Sequence, residues 1–153
     1  MAEAEIDILK EASRYADSPR YQTPELAYRH AIRDGTTGQT AREAGLKMAK
    51  FLQSQLEIAI GYEDQAAALW ALGIGMHAIM DYFSGSHEGF QPWYGGSSVS
   101  EMMEKNGKGR MLLHFLKDSS CPWDRSNPWS RLNSATPMKH WMRSYLEAFR
   151  RAR

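Results

Sequence analysis

A single cysteine, Cys121, stands among 153 residues. It excludes an internal disulfide, a zinc ribbon and a CxxC thiol site, and it says little about redox compartment. No apolar run approaches the roughly 18 residues needed to span a bilayer, so no transmembrane segment is expected. The opening Met1-Ala2-Glu3-Ala4-Glu5 is acidic, the wrong charge for a secretory signal peptide. Export, if it occurs, is therefore expected to depend on something outside this chain. Net charge is scarce too, since 19 Lys and Arg against 18 Asp and Glu leave +1. That balance gives no long-range pull toward polyanions, which argues against a sequence-independent DNA binder without excluding a nuclease that relies on metal ions. No internal repeat of solenoid length is visible.

What is present is a helical pattern with enough apolar material for one core, 42% hydrophobic against 24% charged residues. Residues 3–16 place Ile6, Leu9, Ala12 and Ala16 at helical intervals before Asp17-Ser18-Pro19 stops them. Thr23 and Pro24 open a second helix that is expected to carry Tyr28, His30, Arg33 and Asp34 as far as Gly35. Residues 39–60 form a third, ended by Gly61, and residues 63–83 a fourth, with Gly73 and Gly75 among Trp70, Leu72, Ile74 and Met76. Each interior glycine costs roughly 1 kcal/mol relative to alanine, which predicts a buried helix that its neighbours approach closely. Residues 84–97 are too turn-rich for a strand. Ser98 with Glu101 starts a short helix to Asn106, and another is expected over 109–117. Residues 119–135 form an aromatic-dotted loop with Trp123 and Trp129, and Thr136-Pro137 begins the last helix. The last helix has a stripe of Met138, Trp141, Met142, Tyr145, Leu146 and Phe149 beside basic residues, which suits a helix closing the core or, alternatively, peripheral contact with an anionic membrane. The fold class is all-α, a single compact domain over 1–153 with a metal site between buried helices.

The histidines carry the chemistry. His30, His77 and His114 are each followed four residues on by an aspartate, Asp34, Asp81 and Asp118. With 7 Asp in 153 positions, three such hits among five histidines arise by chance on the order of one time in a thousand. On a helix that spacing sets an imidazole and a carboxylate one turn apart on one face, able to grip one cation. Trp70, Ile74, His77, Ala78 and Asp81 share a face, so the pair points into the protein. Gly85 then ends the helix and turns His87 back toward it. His140 has no acidic partner at this spacing.

The pattern His77-x3-Asp81-x5-His87 with His114-x3-Asp118 resembles the ligand set of the zinc-dependent phospholipase C and single-strand nuclease superfamily, an all-helical fold with clustered zinc ions. The text from His77 through Ser84-Gly85-Ser86-His87-Glu88-Gly89-Phe90-Gln91-Pro92-Trp93, with Tyr28-Arg29-His30-Ala31, also resembles C-terminal toxin domains of Rhs-type polymorphic toxins, which usually have proline at the place of Gly85. The resemblance implies one Zn2+ held by His30, His77 and Asp81 with Asp17 as candidate fourth ligand, and a second held by His87, His114 and Asp118. No histidine precedes His30 to serve a third ion. It also implies a secreted effector delivered into a target cell as part of a larger protein, with a cognate immunity protein as partner.

Two such ions would activate water and bind the oxygens of a phosphodiester. Asp17 is then the candidate general base, and Asp34 is expected to orient His30 or an incoming water. Arg29 and Arg33 are candidates for phosphate contact, and Trp93 and Tyr94 for substrate contact, at a lipid interface or by stacking on bases. The expected activity is phospholipase C-like. The alternatives are a metal-dependent nuclease and a non-catalytic domain whose zinc is structural.

Overall fold

The computed structural model describes residues 2–84, 86–112 and 135–153. Several expected features lie outside these residues: Gly85, the His114–Asp118 pair, most of the helix over 109–117, Cys121, Trp123 and Trp129. Helix α1 (Glu3–Ala16) stops where Asp17, Ser18 and Pro19 follow, and a 3₁₀ turn, Pro19–Tyr21, redirects the chain. Helix α2 (Ala41–Gly61) starts at a reciprocal cap: the Thr40 hydroxyl accepts from the Glu43 N–H, and the Glu43 carboxylate accepts from the Thr40 N–H. Helix α3 (Gln65–Tyr82) begins at Asp64, whose carboxylate accepts from the Ala67 N–H. Helix α4 (Val99–Asn106) starts at Ser98, residues 108–112 are helical again, and helix α5 spans Ala135–Ala152. Among the described residues the fold is all-α apart from one pair of two-residue strands.

Helix α3 is apolar all round, and three helices bury three of its sides. Gly73 meets α1, where a Cβ would lie 2.6 Å from the Ala12 Cβ and 2.8 Å from the Leu9 carbonyl oxygen. Ala78 meets α2 in a cluster with Ala31, Met48 and Phe51. Gly75 meets Tyr145 of α5, whose hydroxyl donates to the Leu52 carbonyl at 2.9 Å, so one side chain ties α5 to both α2 and α3. The small residues are therefore at the points of closest approach, as a central helix requires. Met138, Met142 and Phe149 of α5 are buried in the main core with Leu69, Leu72, Met76 and Ile79. The apolar stripe of the last helix is thus spent inside the protein, although Trp141 stays half exposed.

Two expectations need correction. The segment from Thr23 is not an α-helix reaching Asp34; it is a 3₁₀ helix, Pro24–His30, that ends when Ala31 takes left-handed dihedrals with φ 49°. Left-handed backbone costs a residue with a Cβ about 1–2 kcal/mol. Ala31 is fully buried against Met48, Phe51 and Ala78, contacts that hold it there. Residues Arg33–Asp34 then form β1, paired in parallel with β2 (Pro92–Trp93), through Arg33 N–H to Gln91 O at 3.0 Å and Gly35 N–H to Trp93 O at 2.8 Å. The turn-rich stretch 84–97 therefore does supply a strand, short enough that two residues carry it. His30 and Asp34 consequently do not share a helical face.

The close approach at Gly73 makes a stability prediction. Gly73→Ala gains intrinsic helix preference of about 1 kcal/mol but forces α1 away from α3, and overpacking of this kind costs about 1–3 kcal/mol. Urea denaturation is expected to show net destabilisation for Gly73→Ala, and none for Gly61→Ala, whose added Cβ meets nothing within 4 Å.

Candidate metal centre

Four side chains from three segments point donor atoms at one another. His77 and Asp81, one turn apart on α3, set Nε2 and Oδ2 3.0 Å apart. The end of the 3₁₀ helix brings in His30, whose Nδ1 lies 3.0 Å from His77 Nε2 and 3.1 Å from Asp81 Oδ2. Asp17, at the C-terminus of α1, adds Oδ1 at 3.3 Å from His77 Nε2 and 3.8 Å from His30 Nδ1. The donor atoms of Asp17, His30 and His77 all fall within 4.8 Å of one another, so the three form a set that can hold a metal ion.

The donor set passes a geometric test. Ligand atoms held at about 2.0–2.1 Å from a tetrahedral ion stand about 3.3–3.4 Å from each other. Among Asp17, His30 and His77 the separations of 3.0–3.8 Å bracket that spacing, and Asp81 adds an oxygen 3.0–3.1 Å from both imidazoles. Electrostatics agree. Two carboxylates beside two imidazole nitrogens concentrate negative charge and lone pairs, which a proton or a cation among them offsets.

Burial pulls the charged form of His77 down, yet the Asp81 charge and then hydrogen bonding to Asp17 and Asp81 outweigh it and raise the His77 pKa well above the ordinary 6.5. Burial likewise opposes ionisation of Asp81, but the charges of His77 and His87, with hydrogen bonds from His30 and His77, hold its carboxyl well below the ordinary 3.8. A proton therefore occupies the place that a cation would take.

Three members are largely shielded, whereas the Asp17 side chain is 60% exposed and gives the set its opening to solvent. Beside it, the 3₁₀ turn carries Arg20, whose guanidinium lies 4.3 Å from the Tyr15 ring centroid and 4.8 Å from that of Tyr21. Gln22 donates to Asp17 Oδ1 at 3.4 Å. On the inner side, the Ser13 hydroxyl lies 3.3 Å from His77 Nδ1, the ring nitrogen facing away from the donor set. Neither Ser13 nor Arg20 is found by sequence reasoning. Ser13 and Asp17 are one helical turn apart, but nothing in the sequence says that α1 lies against His77.

The other expected site residues are placed differently. His87 is buried, and its Nδ1 donates to the His30 carbonyl oxygen, which ties the turn after α3 to the backbone beside the donor set. Its expected co-ligands His114 and Asp118 lie outside the described residues. Asp34 spends Oδ1 on the Thr36 N–H at 2.8 Å and the Thr36 hydroxyl at 2.6 Å; burial pushes its pKa up, but these bonds and those to Thr37 bring it below the ordinary range. Its carboxylate holds a turn.

Arg29 packs its guanidinium 5.0 Å from the Phe51 ring centroid and 5.6 Å from that of Tyr21. Trp93 is buried with Ala27, Ile32 and Met111, and its indole N–H donates to the Gln22 carbonyl at 2.9 Å, so it is a packing residue at the strand pair. Tyr94 remains exposed at 40%, its ring covering Gly35. Arg33 lies close enough to Arg110 to help lower the latter's pKa, after burial and against Tyr94.

Comparison of the chain with protein-family models, with curated proteins and with solved structures finds no match in any of the three. No described helix is long and apolar enough to cross a membrane.

The His77–Asp81 pair fixes a pH dependence for the metal-free protein. Asp81, with a lowered folded pKa, stabilises above the ordinary 3.8, and that contribution is lost as pH falls through its folded value. His77, with a raised folded pKa, stabilises fully below 6.5, and that contribution is lost as pH rises through its folded value. Thermal melts between pH 5 and 9 are expected to show the metal-free midpoint falling toward the alkaline end. Over the same range, the stabilisation given by added Zn2+ is expected to grow, because the ion replaces a proton.

Proposed function

We propose that this chain is a metal-dependent phosphodiester hydrolase, phospholipase C-like, that uses Zn2+ at the site formed by Asp17, His30, His77 and Asp81. The observation that carries the reading is the convergence of Asp17, His30 and His77 within reach of one ion, with an Asp81 oxygen beside both imidazoles and one exposed member. A mixed nitrogen and oxygen set suits zinc, and sites that hold zinc only for structure are richer in cysteine thiolates. The sole cysteine here is Cys121.

In this reading His30, His77 and Asp81 are the fixed ligands, since their donor atoms lie 3.0–3.1 Å apart and their side chains are largely shielded. A bound ion supplies charge for the phosphodiester oxygens and a water acidic enough to lose its proton near neutral pH. Asp17 stands at the opening on the longest separations of the set, where its carboxylate can accept a proton from that water or close the fourth position. Arg20, held over two tyrosine rings, follows Asp17 by three residues, and its guanidinium suits a phosphate oxygen. The resemblance of the His77 to Trp93 block supports the finer parts of the reading: a second Zn2+ at His87, a role as the effector domain of a Rhs-type toxin, and a cognate immunity protein. A nuclease uses the same donor set, so substrate class separates the two readings.

Purified protein with Zn2+ is expected to hydrolyse bis(p-nitrophenyl) phosphate and to release phosphorylated headgroup from phosphatidylcholine vesicles, both abolished by chelator. His77→Ala is expected to remove metal and activity together, and Asp17→Asn to lower kcat by about 10²-fold or more. Cleavage of single-stranded DNA or RNA without headgroup release selects the nuclease. Stoichiometric metal with no hydrolysis of any of these refutes the catalytic reading.

A further inference from the structure

We propose that Ser13 is the positioning residue of His77: its hydroxyl accepts the Nδ1–H and so presents Nε2, with its lone pair, to the cation. The proposal rests on the metal reading of the donor set. A metal-binding imidazole almost always has a partner on its second nitrogen, and that bond fixes both the tautomer and the ring orientation. His77 is buried, so water is not at hand to serve. Ser13 Oγ lies 3.3 Å from His77 Nδ1, on the side opposite to the nitrogen that meets Asp17, His30 and Asp81. The contact is long for a hydrogen bond to a hydroxyl, and a cation held at Nε2 would strengthen it by making Nδ1–H a better donor.

The two ligand histidines differ here. Nε2 of His30 is buried without a hydrogen-bond partner among the described residues, whereas His77 has Ser13. Helix α1 makes this possible through Gly73, which lets it approach α3 closely enough for a side chain as short as serine to reach. The same helix delivers Asp17 one turn later, so α1 both holds a ligand and orients another.

The full-length chain is titrated with Zn2+ against a competing chelator, as wild type, Ser13→Ala and Ser13→Thr. Alanine is the better helix former, so S13A is expected to fold, with a metal-free melting midpoint lowered only by the loss of one partly buried hydrogen bond. Its Zn2+ affinity is expected to fall about 10–100-fold, the range seen when such outer partners are removed, while S13T, which keeps the hydroxyl, recovers most of it. Imidazole 15N signals of the Zn2+-loaded protein add a second readout: the Nδ1–H resonance of His77 is expected to move in S13A. Affinity within twofold of wild type for S13A overturns the proposal. Loss of hydrolysis at unchanged affinity also overturns it and makes Ser13 a nucleophile. Failure of wild type to bind any divalent cation sinks the metal reading itself, and the Ser13 role with it.

Discussion

Everything at the centre of this molecule depends on keeping four electron-rich atoms in contact. Two carboxylates crowd two imidazole nitrogens, and three of the four groups are largely shielded from water, where charge is poorly screened. Each imidazole nitrogen stands 3.0–3.8 Å from both carboxylates, contacts that need a proton or a cation between the partners. A proton on His77 serves in the metal-free protein, and a divalent cation neutralises the two carboxylates completely. The packing of α1, the 3₁₀ helix and α3 is what brings these groups together, so the fold itself assembles the charged site.

Helix α3 shows how that pressure is applied. A helix buried on every side must let its neighbours in, and it does so with a different small residue toward each: Gly73 toward α1, Ala78 toward α2 and Gly75 toward α5. Only the α1 side also carries the donor set, because His77 and Asp81 follow Gly73 by one and two turns. The neighbouring edge, where Ala78 meets the buried Ala31, carries His30 in. Close backbone approach and ligand convergence are thus two results of one arrangement of small residues.

Much of this was legible in the sequence where the signal is local. The i, i+4 spacing of His77 and Asp81, the stops at Pro19 and Gly61, and the glycines of α3 each reflect interactions within a turn or two of helix. The same spacing misled at His30 and Asp34. Whether residues 24–34 continue as a helix depends on Ala31, which bends left-handed because of Met48, Phe51 and Ala78, partners far along the chain. Trp93 looks like a ligand-stacking residue until Ala27, Ile32 and Met111 are seen around it. Ser13 carries no signal at all, since a serine in an amphipathic helix has no distinguishing neighbour until the helix is docked.

The exposure of Asp17 alone among the four donors has a consequence for traffic. Among the described residues the opening lies at the carboxyl-terminal end of α1, where the helix dipole makes the local field negative. An anion coming that way is repelled by the backbone and by Asp17 itself, and the counterweight within the same few residues is Arg20, braced on Tyr15 and Tyr21. The function proposed for this site makes entry charge-gated: a negatively charged guest would be admitted on the strength of a cation held by the donor set, and an empty centre would have little to attract it.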